Sequence, residues 1–564
     1  MSICVRTLGA GSEVGRSCFL VTIEDVSVLI DAGVHVNPQS KSERIPIIPS
    51  DVRISAVMIT HYHLDHVGAL PHLREVAETI PKDVDIFMTA PTKTLSPSVC
   101  IDYSRGPNND LYVPNHVYRC FTSDRIKVVG CGEEVKLDSG LRFQFAHSGH
   151  VIGGVLVLIQ YRNKSLVYTG DFSVIPDSLL YPIHIPPEII PRYGVDVVIS
   201  ECTHATTVSP VRELVSIQRS ICERVFRTIK QGGSVLIPVF AVGRMQELAS
   251  MLRQHLGDTI PMYTASPAGQ RAGMITTLIH RQWIREDCVP NRLGLALLEE
   301  SDPFPSNSVV FASPAMMEGG ASLRYFTEIC EDPKNLVVLT GYCNKGTVGN
   351  SLILFASRPG TRDKTVSVLN RQFDVKCECL YVPFTNHTDS NGIVHILRQL
   401  RPRSGVVLIH GQRDKIERFR DRLRSENVVS ESVDIVIPRN YESHSFSPEK
   451  SDAQKGACTG SVCMERTIAL VRPLTSTELG SILSALALPF EEHEDRFTVN
   501  DPRGSSIVFI RGNELVCEWE ADWEYGPVWM THNPTVEGIS HVLNERGLIG
   551  SPGNDTISIS ECSD

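Results

Sequence analysis

Several common features are missing from this sequence, and each absence excludes a class of protein. No run of 18 or more apolar residues occurs, so no segment reads as a membrane-spanning helix and no membrane partner is expected. The opening residues, Met1-Ser2-Ile3-Cys4-Val5-Arg6, have neither the basic start nor the apolar core of a secretory signal. Sixteen cysteines are present without a dense framework. Cys377 and Cys379 are two apart and Cys458 and Cys463 five apart, neither being a paired zinc-finger spacing. They read as free thiols in a reducing compartment, cytosol or nucleus. Internal repeats are absent, and so is any basic excess.

The missing positive charge is localised. From residue 465 to 564 there are 17 Asp and Glu against six Arg and no Lys, which equals the net charge of −11 for the whole chain. Residues 1–464 are therefore neutral, with 48 acids and 48 bases. A nucleic-acid binder usually carries a basic footprint. The acidic C-terminal hundred residues should be repelled by phosphate, and they read as a protein-docking module. They also hold three of the four tryptophans, Trp519, Trp523 and Trp529.

What is present is a chain of 564 residues, too long for one ordinary core, so two or three domains are expected. The opening third alternates β-rich runs with Gly and Asp turns, as in Ser27-Val28-Leu29-Ile30 before Asp31 and Ala56-Val57-Met58-Ile59-Thr60 before His61. The same pattern places Asp171 after Ser165-Leu166-Val167-Tyr168 and Glu201 after Val195-Asp196-Val197-Val198-Ile199. Side chains just past strand ends are presented by loops on a rigid sheet. From about Thr206, strands alternate with helices, one of them predicted over 213–230 and another opening at Gly243-Arg244, which argues for a parallel α/β domain. Strand ends with histidine then return, at Leu380-Tyr381-Val382-Pro383 before His387 and Val406-Val407-Leu408-Ile409 before His410. Residues 447–464 read as a linker and 465–564 as a small α+β domain.

The central signal is His61-Tyr62-His63-Leu64-Asp65-His66. Imidazoles with a carboxylate suit zinc, and four such donors in six residues on a loop can reach two ions. Two ions roughly 3.5–4 Å apart can clamp a phosphoryl group. His150, Asp171 and His410 follow in order as further donors, while His72 and His147 have no assigned role. Taken alone, each of the three would more often be a structural residue; the ordered set is what gives them weight.

That ordered set resembles the metallo-β-lactamase superfamily and, within it, the β-CASP nucleases. Asp31 matches the first motif, the run from His61 to His66 the second, His150 the third and Asp171 the fourth. Glu201, His387 and His410 match the β-CASP additions. The resemblance covers roughly residues 1–445 and is greatest to eukaryotic RNA 3′-end endonucleases, those of the Integrator complex before those of the polyadenylation machinery. The fold it implies is α/β: a metallo-β-lactamase αββα sandwich over 1–204 and 384–446, with a parallel α/β β-CASP domain inserted at 205–383.

The resemblance also implies residue roles. His61, His63 and His150 would bind one Zn2+, Asp65, His66 and His410 the other, and Asp171 would bridge them. Asp31 would support the centre, and His387, oriented by Glu201, would protonate the leaving 3′-oxygen after hydroxide attacks the phosphodiester. The implied function is a zinc-dependent endonuclease of single-stranded nascent RNA, of snRNA or Integrator type, in a nuclear multi-subunit complex with a catalytically inactive sibling docked on the C-terminal domain. The alternatives are a pre-mRNA 3′-end endonuclease, a DNA nuclease of the repair branch and a non-catalytic scaffold; the cytoplasm is a second compartment beside the nucleus. Three departures stand out: Phe384-Thr385-Asn386-His387 where the family has Phe-Ser-Ala-His, Gln412 where it has Glu, and His204 where it has Tyr.

Overall fold

The computed structural model describes residues 2–35, 40, 43–105, 109–175, 179–186, 189–191, 193–208, 211–275, 283–285, 293–341, 343–358, 364–382 and 386–447, and six strands between 462 and 561. Contacts divide the chain into units 1–449 and 450–564.

Two seven-stranded sheets form the centre of the first unit. One runs Ser443–Phe446, Ile3–Gly9, Cys18–Ile23, Val26–Ile30, Ile54–Met58, Ile86–Met88, Ile126–Val128. The other runs Asp434–Val436, Gly405–Ile409, Val197–Glu201, Lys164–Tyr168, Val155–Tyr161, Arg142–His147, Glu134–Lys136. Both sheets are mixed, which lets a chain segment from residue 405 onward close sheets that the first 201 residues begin.

Successive side chains on a strand point to opposite faces, so a strand buried on both faces reads as a continuous apolar run. Val21, Val28 and Met58 of the first sheet thus meet Phe145, Val157 and Ile199 of the second in one shared core. Their neighbours Leu20, Leu29 and Val57 face outward onto the helices Leu70–Glu75, Ala90–Ser104 and Pro114–Phe121. Leu158, Val167 and Val198 do the same under Ser390–Leu400 and Arg413–Ser425. The layers are therefore αββα, as expected.

Residues between the two parts of this sandwich build a third sheet of six parallel strands, Leu295–Leu297, Met262–Thr264, Val309–Ala312, Val235–Pro238, Leu336–Leu339 and Glu378–Tyr381. Helices Val211–Lys230 and Arg244–Leu256 cover one face, packing Val225, Met245 and Leu248 against Ile237 and Phe311. Gly320–Ile329 and Val348–Ser357 cover the other. The helix predicted over 213–230 starts at Val211.

The second unit shows a six-stranded antiparallel sheet among its described residues. Its strand Val462–Ala469 pairs from its first residue, so the sheet begins inside the stretch read as linker. Helices of the expected α+β domain, Trp523 and Trp529 lie outside the described residues. No helix among the described residues is long and apolar enough to cross a membrane.

Candidate metal centre

The two central sheets present the site at their strand ends. Past Ile54–Met58 the chain turns through His61 and His63 into the short helix Leu64–Val67, which carries Asp65 and His66. The loop is pinned by backbone bonds: Ser17 N donates to the Asp65 carbonyl at 2.7 Å and Ala32 N to that of His66 at 2.7 Å. A Cβ on Gly33 would lie 1.8 Å from the Asp65 carbonyl oxygen, so only glycine lets the two segments approach this closely. Asp31 and His410 end their strands in left-handed backbone, at φ 60° and 53°. For non-glycine residues that conformation costs on the order of 1 kcal/mol, which the surrounding bonds must offset.

The predicted donors converge into two groups that share Asp171. His61, His63, His150 and Asp171 form one, and Asp65, His66, Asp171 and His410 the other, with donor atoms within 4.8 Å of one another in each. Asp171 Oδ2 lies 3.3 Å from His66 Nε2, 3.7 Å from His150 Nε2 and 3.8 Å from His61 Nε2. His410 Nε2 lies 3.3 Å from Asp65 Oδ2. A third group, Asp171, Glu201 and His387, adjoins them, with His387 Nδ1 2.9 Å from Glu201 Oε2.

The donor rings of His66, His150 and His410 are held by the nitrogen that faces away from the centre. His66 Nδ1 donates to Asp31 at 2.7 Å, and His150 Nδ1 donates to the Asn386 carbonyl at 2.9 Å. His410 Nδ1 lies 2.9 Å from the Thr203 hydroxyl, which itself donates to Glu201 at 2.6 Å. Such partners set the tautomer and aim the remaining nitrogen inward. Asp31 is fully buried and also accepts from Thr60 N, the Thr60 hydroxyl and the Tyr168 hydroxyl, at 2.8–3.0 Å. Glu201 accepts in addition from Phe172 N at 2.8 Å.

The donor set fits a divalent cation. His61 Nε2 is buried with no hydrogen-bond partner, which costs free energy unless an electron-pair acceptor meets it. His150 Nε2 and His63 Nδ1 lie 3.2 Å apart, and the His150 proton is already placed on Nδ1. Burial, and then neighbouring histidines, hold His61 and His150 well below the usual imidazole range, and burial lowers His63 to about 4. These three rings are neutral, as ligands must be. Although burial opposes it, His410 and His66 hold Asp171 well below the usual carboxylate range. Against burial, Asp171 raises both His66 and His410. The carboxylates thus draw protons to the positions a cation would occupy. Against burial, Glu201 and then Asp171 push His387 up to about 9.

The two unassigned histidines stay outside the centre. His72 Nδ1 donates to the Leu111 carbonyl at 2.8 Å, and the His147 ring packs edge-on against Trp283. Among the departures, His204 meets the His387 ring edge-on at 5.9 Å, and Gln412 is the exposed N-cap of Arg413–Ser425. The supporting roles of Thr60, Tyr168, Thr203 and Asn386 were not visible in the sequence. Buried Asp31 needed donors, but which residues supply them depends on strand register.

Comparison with known proteins points to the same superfamily. The model of the metallo-β-lactamase superfamily domain matches residues 20–187, that of the Beta-Casp domain 245–352, and that of the Zn-dependent metallo-hydrolase RNA specificity domain 373–438. Integrator complex subunit 11 of Danio rerio is 30% identical over 464 residues, 78% of this chain and 73% of that protein. Cleavage and polyadenylation specificity factor subunit 3-II of Arabidopsis thaliana is 31% identical over 79% of this chain and 73% of its own. The crystal structure of a protein of unknown function from Enterococcus faecalis V583 superposes with a TM-score of 0.51 at 10% identity, covering 79% of this chain and all of that one, a likeness of fold alone.

Fold and donor set together define a metal-dependent hydrolase on the metallo-β-lactamase fold. The chain belongs to the β-CASP family of that superfamily, which supports a metal-dependent hydrolytic endonuclease.

Proposed function

We propose that this chain is a zinc-dependent endonuclease that cuts single-stranded nascent RNA in 3′-end processing, of the Integrator type. The observation that carries the reading is the pair of donor groups sharing Asp171 with the Glu201–His387 pair beside them. In this reading His61, His63 and His150 hold one zinc, Asp65, His66 and His410 the other, and Asp171 bridges. Bound zinc supplies water with a pKa of about 7 and stabilises negative charge on phosphoryl oxygens.

The chain's own residues do the rest. Asp31 and Thr203 aim His66 and His410. Glu201 accepts a hydrogen bond from His387 Nδ1 and so orients the ring, whose Nε2 in this reading donates to the leaving 3′-oxygen. Glu201 beside it favours the protonated ring, the form that can act as the acid. General acid catalysis of this kind is worth roughly 10²–10⁴ in rate. Residues 205–383 cap the centre, so that a single strand enters between them and the sandwich formed by 1–204 and 384–446.

Relatives named as Integrator and as cleavage and polyadenylation subunits support a nuclear, multi-subunit setting. The acidic residues 465–564, beyond the connection at 447–464, would dock a catalytically inactive sibling. Their deletion should abolish co-purification of that sibling. The central test uses zinc-loaded protein with its partners, single-stranded RNA and a chelator. Chelation should stop cleavage; the reading fails if no RNA is cut and His387→Ala changes nothing. Cleavage of DNA but not RNA would move the substrate to the repair-type alternative.

A further inference from the structure

One departure from the family pattern lies against both the metal centre and the inserted domain. Where that pattern has alanine, this chain has Asn386, and every polar atom of its side chain is engaged. Asn386 Nδ2 donates to the His150 carbonyl at 3.1 Å and to Glu247 Oε2 at 3.1 Å, while Oδ1 accepts from Arg244 Nη1 at 3.0 Å. Its own carbonyl accepts the His150 Nδ1 proton. The amide's orientation follows from chemistry: arginine only donates, and a carboxylate and a carbonyl only accept. Arg244 and Glu247 form an ion pair in the first turn of the helix Arg244–Leu256. Glu247 is 2% exposed, and burial pushes its carboxyl up, so its polar partners are what offset the cost of an ionised group there.

We propose that Asn386 is a positioning residue that ties helix Arg244–Leu256 of the inserted domain to His150, so that the seating of that helix sets how firmly the His61–His63–His150 position holds its metal. The inference rests on the reading of His150 as a ligand. An alanine could supply the carbonyl bond to the ring but none of the three side-chain bonds, which is why the link belongs to this chain and not to the family pattern.

The test is zinc retention by the full-length protein against a competing chelator, with kcat and KM alongside. Asn386→Ala should leave one of two zincs bound about 10-fold or more weakly, a typical cost for losing a group that orients a ligand, and lower kcat more than KM. Asn386→Asp should be worse than alanine, because a carboxylate would face Glu247 and the His150 carbonyl. A residue that merely fills space would show the reverse order, since aspartate is the closer fit in volume. Arg244→Ala should weaken the same zinc, and the double variant with Asn386→Ala should be less than additive. Retention equal to the parent protein in Asn386→Ala, alanine worse than aspartate, or full additivity would overturn the proposal. His150→Ala separates the two levels: if it keeps both zincs, the ligand reading fails. If it loses one while Asn386→Ala loses none, only this inference fails.

Discussion

The two halves of the centre are supported from different places. The half with Asp65, His66 and His410 leans on the sandwich itself: buried Asp31 holds His66, and Thr203 links His410 to Glu201. The half with His61, His63 and His150 offers three neutral rings, and its His150 is tied through Asn386 to a helix of the inserted domain. One half is therefore organised by the fold that carries the chemistry. The other is organised partly by the domain that covers it, so removing a support should affect the two unequally.

The largest effect should come from the residue both halves share. Asp171→Ala removes the carboxylate from both donor groups at once, so under the proposed two-zinc reading it should release both ions and reduce cleavage to background. Metal analysis after gel filtration checks this; a variant that keeps one tightly bound zinc would show that the halves do not depend on a common bridge. Next is His387→Ala, a residue outside the two proposed ligand sets whose ring lies beside His150 and Asp171. Turnover should fall roughly 10²–10⁴-fold, the usual worth of a general acid, with zinc content unchanged. Loss of zinc in that variant would instead make His387 part of the donor set.

Asp31→Asn probes chiefly the fold-supported half, since Asp31 bonds His66 directly and reaches the other half only through the Thr60 hydroxyl, 3.1 Å from His61 Nδ1. The asparagine oxygen can still accept from Thr60, but its NH2 would face His66 Nδ1, which now donates to a carboxylate. The ring would have to turn Nδ1 into an acceptor, and the proton would move to Nε2, the nitrogen nearest Asp171. A roughly 10–100-fold loss of affinity for one zinc is expected. In a series with Asn386→Ala, chelator competition should weaken a different zinc in each variant. If both weaken the same one, the division into two supports is wrong.

How far the sequence carried this picture depends on the kind of signal. β-rich runs such as Ala56-Val57-Met58-Ile59-Thr60 showed strands, and polar residues at or just past their ends, Asp31, His61, Asp171, Glu201 and His410, showed where the site would be. Those residues are adjacent to strand ends whatever the sheet order. Thr203 and Tyr168 were hidden because their roles depend on register: Tyr168 meets Asp31 across 137 residues, and Thr203 meets His410 across 207. Asn386 stood out as a departure, yet its partners on the inserted domain, 139 and 142 residues away, lie beyond any local pattern. The linker was placed too long for a related reason. Ser, Gly and Lys around Val462 resemble a loop locally, and only pairing with Ala521 and Glu561 makes that residue a strand.

The smallest expected effect concerns the fold-supported half and the glutamine that follows His410. Gln412 is the N-cap of helix Arg413–Ser425, with φ −71° and ψ 130°, and it makes no side-chain cap bond. The backbone is already in the extended conformation a capping residue uses, so the first-turn N–H groups need only a shorter acceptor. Gln412→Asp provides one, and its charge also meets the positive end of the helix. A gain of roughly 0.5–1 kcal/mol in stability is expected, read as a rise in melting temperature. Because the same backbone carries His410 two residues earlier, a stiffer cap should slow hydrogen exchange in this half and leave the Asn386 side unchanged. Equal slowing on both sides would show that the two supports form one rigid frame.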